Sequence, residues 1–186
     1  MIQFNDRVIG EEECLFLANW ILKNEDYIKS LGPDEYGGTN ENSLTGRHPY
    51  FNYLLVDEIN EIIAPALKSA LNKINYPAPV YVQCWANTFR TGDGIGLHKH
   101  AAYNEENFIC GNLFLTGPTQ PGTTYLIDNE LKNIENSPGT LTLFDCHDIH
   151  GVGRNQFENI RISMAFDIHQ SYDEWMNSKN RIYLLK

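Results

Sequence analysis

The pattern of hydrophobic and polar positions changes texture near residue 80. Over residues 12–30, Leu15, Phe16, Ala18, Asn19, Ile21 and Leu22 recur at roughly helical intervals, with Trp20 and Tyr27 beside them, which predicts an amphipathic helix. Residues 56–74 carry the clearest helical face in the chain. Ile59, Ile62, Ile63, Ala66, Leu67, Ala70, Leu71 and Ile74 repeat at intervals of three and four, a stripe suited to packing across a sheet. Tyr76-Pro77-Ala78-Pro79 ends that helix. Between the two, residues 32–48 are rich in Gly, Asn, Thr and Pro and read as a long loop. Such a loop either borders a binding site or is a plain surface excursion.

From Val80 the period shortens to two. Tyr81, Gln83, Trp85, Asn87 and Phe89 alternate with Val82, Cys84, Ala86 and Thr88, as they would on the two faces of one strand. Further strands are predicted over residues 108–116, 123–127, 140–144 and 161–168, separated by Thr91-Gly92-Asp93-Gly94, by the Gly- and Pro-rich residues 117–122 and by Ser137-Pro138-Gly139. Gly96 is expected to allow a close backbone approach. The apolar pair Leu184 and Leu185 reads as an added edge strand. Two helices followed by at least five strands with no helix between them predict a mainly β sandwich or barrel with the helices buttressing one outer face.

Composition narrows the class. A chain of 186 residues with 42% hydrophobic and 20% charged residues is expected to fold as one domain with a sizeable core. The net charge of -10 argues against nucleic acid or an anionic membrane as partner, since phosphate contacts need clustered Lys and Arg. Cys14, Cys84, Cys110 and Cys146 show neither a CxxC nor a disulfide-framework spacing and are expected to be buried thiols. No signal segment and no apolar run of transmembrane length is visible, so a reducing cytoplasm, which also suits a ferrous ion, is the expected location.

The chemistry gathers around Leu97-His98-Lys99-His100, Cys146-His147-Asp148-Ile149-His150 and Arg161. Side chains two apart on a strand share a face, so His98 and His100 can aim two imidazoles at one point. A third imidazole from a neighbouring strand, His150, would complete three ligands and leave open positions on a metal; imidazole suits Zn, Cu, Fe or Ni. The plain alternative is a surface histidine pair. Arg161 opens a strand expected to lie beside the one leading to His150. Inside a barrel it needs an anion, which a dicarboxylate co-substrate would supply, or else a salt bridge to Asp128, Asp145 or Glu158. His147 is expected to face solvent. Asp145 and Asp148 either hold an imidazole N–H or cap a turn. Trp85 and Phe89 read as core, and Thr142 as a strand residue at the edge of the pocket. Cys146 beside His147 does not read as a nucleophile pair, because adjacent strand residues face opposite sides.

Taken in order, Trp85-x-Asn87, His98-x-His100, Cys110-Gly111-Asn112-Leu113-Phe114-Leu115, Gly139-Thr140-Leu141-Thr142-Leu143-Phe144, His150 and Arg161-x-Ser163 resemble the pattern of the iron(II)/2-oxoglutarate-dependent dioxygenase superfamily, in particular its small putative 2OG-Fe(II) oxygenases. The resemblance covers residues 80–168. It implies a double-stranded β-helix (jelly-roll, cupin-like) core over 80–168, a helical buttress and loop over 1–79 and a C-terminal extension over 169–186. It implies Fe(II) held by His98 and His150, with His100 standing where the superfamily has Asp or Glu. Asp93 is a poor substitute carboxylate because it sits in a turn. It also implies 2-oxoglutarate as co-substrate, its far carboxylate on Arg161 and Ser163, with Asn87 lining the pocket. The expected activity is hydroxylation of an unidentified small molecule or protein side chain, with succinate and CO2 released. Two rivals are a non-catalytic jelly-roll module that binds a metal or a small acid, and a cupin-like three-histidine metalloenzyme that does not use 2-oxoglutarate. Residues 32–48 and 101–107 are expected to border the substrate entrance.

Overall fold

The computed structural model describes residues 2–33, 44–100, 107–120, 122–171 and 182–186. Most of the two loops expected at the entrance, residues 34–43 and 101–106, therefore lies outside the described residues.

The first helix, α1 (Glu11–Ser30), begins with three acidic residues and closes with Lys29 in its last turn, both favourable to the helix dipole. The Glu13 carboxylate reaches back to accept from the Gly10 N–H at 2.6 Å. Its buried stripe is Cys14, Leu17, Ala18, Ile21, Glu25 and Ile28. The predicted face is thus rotated: Leu15 and Phe16 point outward, 55% and 43% exposed. The second helix, α2 (Asp57–Lys73), buries Ile59, Ile63, Ala64, Leu67, Ala70 and Leu71, as its periodicity predicted. It ends on Asn75 in the left-handed region (φ 56°), with Tyr76 N–H on the Leu71 carbonyl and Asn75 N–H on the Asn72 carbonyl, a Schellman cap just ahead of the prolines.

The strands are β1 (Phe4–Arg7), β2 (Val80–Phe89), β3 (Ile95–His98), β4 (Ile109–Thr116), β5 (Thr123–Ile127), β6 (Glu130–Ile134), β7 (Thr140–Asp145), β8 (His150–Val152), β9 (Arg161–His169) and β10 (Tyr183–Leu185). They form two antiparallel sheets, one of six strands ordered β1-β7-β4-β9-β2-β10 and one of four ordered β3-β8-β5-β6. The mainly β expectation holds, with four strands outside the predicted ranges: the short β3 and β8 that carry His98 and His150, and β1 and β6. β1 lies in the stretch expected to hold only helices and loop, and pairs with β7 at the sheet edge. β6 is polar and exposed, so it carries no alternation to read. It is joined to β5 by Asp128-Asn129, both at positive φ, the backbone that a two-residue hairpin turn requires. The predicted tail strand is β10, which pairs with β2.

The large sheet separates two environments by its period of two. Val80, Val82, Cys84 and Ala86 of β2, Leu113 and Leu115 of β4, Leu141 and Leu143 of β7, and Ile162, Met164, Phe166 and Ile168 of β9 join the buried residues of both helices in one core. The opposite face looks across to the small sheet, where Phe108, Cys110, Tyr125, Phe144 and Cys146 form a second, smaller cluster. Polar residues of β2, β4 and β9 fall on this inner face, and they build the site. All four cysteines are free and buried, as expected. No helix among the described residues is long and apolar enough to cross a membrane.

Candidate metal centre and acid pocket

His98 closes β3, His150 opens β8, and the two are paired in register across those strands. His100 lies two residues past His98, where its backbone N–H donates to the Cys146 carbonyl at 3.0 Å. The ring centroids are 5.3 Å apart for His98 and His100, 4.4 Å for His98 and His150, and 5.1 Å for His100 and His150. One ring nitrogen from each lies within 4.8 Å of the others, close enough to hold a single ion. The backbones approach tightly here. A Cβ on Gly151 would sit 2.9 Å from the Ile95 carbonyl oxygen, and one on Gly94 would sit 2.8 Å from that of Val152. Gly96, the glycine expected to serve this purpose, has nothing within 4 Å of its missing side chain.

Each ring is held through Nδ1. His98 Nδ1 meets the Gly96 carbonyl at 2.9 Å, His150 Nδ1 the Asp148 carbonyl at 3.0 Å, and His100 Nδ1 an Asp167 carboxylate oxygen at 2.6 Å. All three acceptors require Nδ1–H, which leaves the Nε2 lone pairs for a ligand. Burial, with the charges of His100 and His98 added to it, lowers the pKa of His150 to about 3; burial also lowers that of His98. For His100 burial acts in the same direction, but the Asp167 charge and hydrogen bond outweigh it and raise the pKa.

Arg161 is 1% exposed at the start of β9. Its guanidinium lies 5.8 Å from the Phe89 ring centre and 5.3 Å from that of Phe114, which stabilise a cation weakly. Nη2 donates to Thr123 Oγ1 at 3.4 Å and, with the Asn136 amide oxygen turned toward it, to Asn136 at 3.0 Å. Nε and Nη1 have no partner among the described residues, and no carboxylate stands against the charge. Burial lowers the pKa to about 10, which leaves the group charged at neutral pH. The salt bridges weighed for it, to Asp128, Asp145 or Glu158, do not form.

The imidazoles and the inner face of β9 border one cleft with about 460 Å³ of space including its mouth, lined among others by Trp85, Asn87, Asn112, Thr123 and Ser163. Ser163 is fully buried and accepts from Asn87 Nδ2 at 3.5 Å, while Asn87 Oδ1 accepts from Thr45 at 2.6 Å. Asn112 Nδ2 is buried without a partner among the described residues, and the buried Tyr125 hydroxyl has only Thr142 beside it. Tyr125 stacks on His150 at 5.9 Å and is close enough to Arg161 for each charge to affect the other. A buried guanidinium with N–H groups that have no acceptor among the described residues, beside a buried phenol, suits a bound anion.

The structure chooses between the alternatives at several other residues. Asp148 Oδ2 accepts from Asp145 N–H and Asp145 Oδ1 from His147 N–H, so both carboxylates cap the turn. His147 is exposed, as expected. Asp93 accepts from Arg90 N–H within its turn, apart from the histidines. Thr142 Oγ1 donates to Asn5 on β1. Trp85 does both things weighed for it: it is nearly buried, yet it lines the cleft against His100 at 5.8 Å. Asp167, Tyr125 and Asn112 went unread. Asp167 was open to detection, because it lies six residues after Arg161 on the same face of an otherwise apolar strand. Tyr125 and Asn112 carried no signal, since Tyr and Asn are common in strands and loops for other reasons.

No protein-family model matches the chain, and no curated protein matches it in sequence. Solved structures do match in fold. A prolyl-4-hydroxylase from Pseudomonas putida superposes with a TM-score of 0.60 at 14% identity, over 91% of this chain and 92% of that one. HygX from Streptomyces hygroscopicus, solved with nickel and 2-oxoglutarate bound, gives 0.66 at 11% identity over 91% and 83%. A prolyl hydroxylase from Trichoplax adhaerens, in complex with a hypoxia inducible factor peptide fragment, gives 0.62 at 14% over 89% and 82%. At such identities the likeness is one of architecture, and this chain has the double-stranded β-helix fold on which the 2OG-Fe(II) oxygenases are built.

Proposed function

We propose that the chain is an Fe(II)- and 2-oxoglutarate-dependent oxygenase that hydroxylates a small molecule or a protein side chain. The observation that carries the reading is Arg161: a buried cation with no anionic partner among the described residues, on the same inner surface as three imidazoles whose free nitrogens converge. A buried charge left so is costly, and the arrangement makes sense when a small acid binds. The donor set fits a divalent transition metal, and the guanidinium with its unpaired N–H groups fits a carboxylate.

His98, His100 and His150 would hold the metal. Arg161 would receive the far carboxylate of the co-substrate, with Tyr125, Asn112 and Thr123 as neutral donors and Ser163 and Asn87 as the adjoining wall. When bound, iron(II) and 2-oxoglutarate supply the oxidising chemistry, in which dioxygen is consumed, a C–H bond becomes C–OH, and succinate and CO2 leave. The chain's own part is to bind, orient and dry the site. The Nδ1 hydrogen bonds keep each imidazole in the tautomer that offers Nε2. Phe89 and Phe114 flank the guanidinium, so its attraction for an acid acts in a low dielectric.

Anaerobic titration with Fe(II) followed by 2-oxoglutarate tests the reading. The expected result is a metal-to-ligand absorption band that Arg161→Ala abolishes while metal binding persists, and iron-dependent succinate release on admitting oxygen. An identical band in the variant, or no succinate, would sink it. The all-imidazole donor set favours one rival, a three-histidine metalloenzyme that does not use 2-oxoglutarate; turnover that survives Arg161→Ala would select that rival.

A further inference from the structure

The three imidazoles are not held alike. His98 and His150 each rest on a backbone carbonyl two residues earlier, an acceptor supplied by the local chain. His100 instead rests on a carboxylate 67 residues away, Asp167 Oδ1, at 2.6 Å. Asp167 sits on the inner face of β9, between Cys110 of β4 and Gln83 of β2. Its other contact at that oxygen is the Cys110 thiol at 3.3 Å, while the Gln83 amide is taken by the His48 carbonyl. The carboxylate therefore has its strongest hydrogen bond with the His100 ring. Three neutral imidazoles bring no negative charge to a divalent cation, and Asp167 is the carboxylate placed to bring one through a ring.

We infer that Asp167 is the positioning residue of this centre: it fixes His100 with its proton on Nδ1, aims Nε2 at the metal, and adds through the imidazole the negative charge that a directly bound carboxylate would have given. The inference rests on the metal-site reading above. The ligand and its acceptor work as a unit, His100 making the bond and Asp167 setting its direction and strength.

Metal binding separates this role from a merely structural one. Co(II) is titrated anaerobically into the full chain, and affinity and visible spectrum are recorded for wild type, Asp167→Asn and Asp167→Ala. Asparagine keeps an oxygen acceptor but not the charge; alanine keeps neither. The expected loss is about 10-fold for Asp167→Asn and about 100-fold for Asp167→Ala, with altered cobalt bands. Repeating Asp167→Asn in a His100→Asp background, where the ligand itself is anionic, is expected to cost nothing; an equal loss in both backgrounds overturns the inference. So do variants that bind within twofold of wild type with unchanged bands. Wild type that binds no Co(II) overturns the metal reading as well, which tells the two failures apart. Nitrogen-15 NMR of the histidines in the metal-free wild type, recorded at alkaline pH where each ring is neutral, requires no variant: a proton on Nδ1 of His100 supports the inference, and one on Nε2 ends it.

Discussion

Arg161 illustrates how one side chain can be costly to the fold and needed by the site. A charged group in an apolar setting, without an ion partner, destabilises the ligand-free chain. Arg161→Met, of similar length and apolar, is expected to raise the unfolding free energy of the ligand-free protein by about 1–3 kcal/mol, as other buried charges do when replaced by apolar residues. Urea unfolding measures it, and in the same variant 2-oxoglutarate should no longer raise the melting temperature. The imidazoles make a second prediction. His150 has its pKa lowered from 6.5 to about 3 by burial in the folded chain. Between those values the unfolded state binds the extra proton, so stability falls as pH is lowered from about 6.5 toward about 3. His98 contributes in the same direction. Thermal unfolding of the metal-free protein should show this acid-side decline, and His150→Gln should flatten it.

The helices depend on the large sheet for more than apolar contact. Glu25 of α1, nearly buried, meets Arg90 at the end of β2 through two hydrogen bonds of 3.0 and 2.6 Å, and Thr88 at 3.2 Å, with Lys29 at 2.8 Å. Burial opposes the charged carboxylate, but these partners outweigh it and lower the pKa of Glu25. Removing one member of such a group leaves the rest uncompensated. Glu25→Ala is expected to cost about 2–3 kcal/mol at neutral pH, below the value for fully buried pairs because Arg90 is partly exposed. The wild-type contribution is present above the ordinary glutamate pKa and fades as pH falls through the lowered one, so the difference between variant and wild type should shrink in acid. Urea unfolding at two pH values checks both statements. β9 joins this framework to the chemistry. Ile162, Met164, Phe166 and Ile168 face the helices, while Arg161, Ser163 and Asp167 alternate onto the opposite face, where Ser163 lines the cleft and Asp167 meets His100, so one strand anchors the core and carries the buried cation and the imidazole acceptor.

For the molecule as a whole, metal and acid should act as stabilising ligands of an already formed pocket. A ligand at 100 times its dissociation constant adds about 2.7 kcal/mol to the folded state. For a chain of this size that corresponds to a rise in melting temperature of roughly 5–11 °C. Differential scanning fluorimetry with divalent metal, with 2-oxoglutarate, and with both should show the metal effect reversed by a chelator. The 2-oxoglutarate effect should depend on Arg161.

Much of this was legible along the chain, and the exceptions have physical causes. The strong periodicity of α2 and the alternation of β2 and β9 reflect elements buried along a whole face, and such elements leave a clear pattern. The face of α1 was misjudged because Leu15 and Phe16 are apolar yet exposed, and because its stripe contains the buried charge of Glu25. β1 and β6 show no period of two because edge strands bury little, so selection for burial left no rhythm in them. The histidines and Arg161 could be named because their residue types are chemically rare in such positions. The spacing of the rings across strands, the surroundings of the guanidinium and the carboxylate behind His100 are contacts between residues far apart in sequence, 38 for Arg161 with Thr123 and 67 for His100 with Asp167. The local sequence specified helices, central strands and a shortlist of reactive groups, since those depend on neighbours within a few residues. Pairing of β3 with β8, and of β9 with β2 and β4, decided which of those groups face one another, because only the register between distant strands sets the distances on which binding depends.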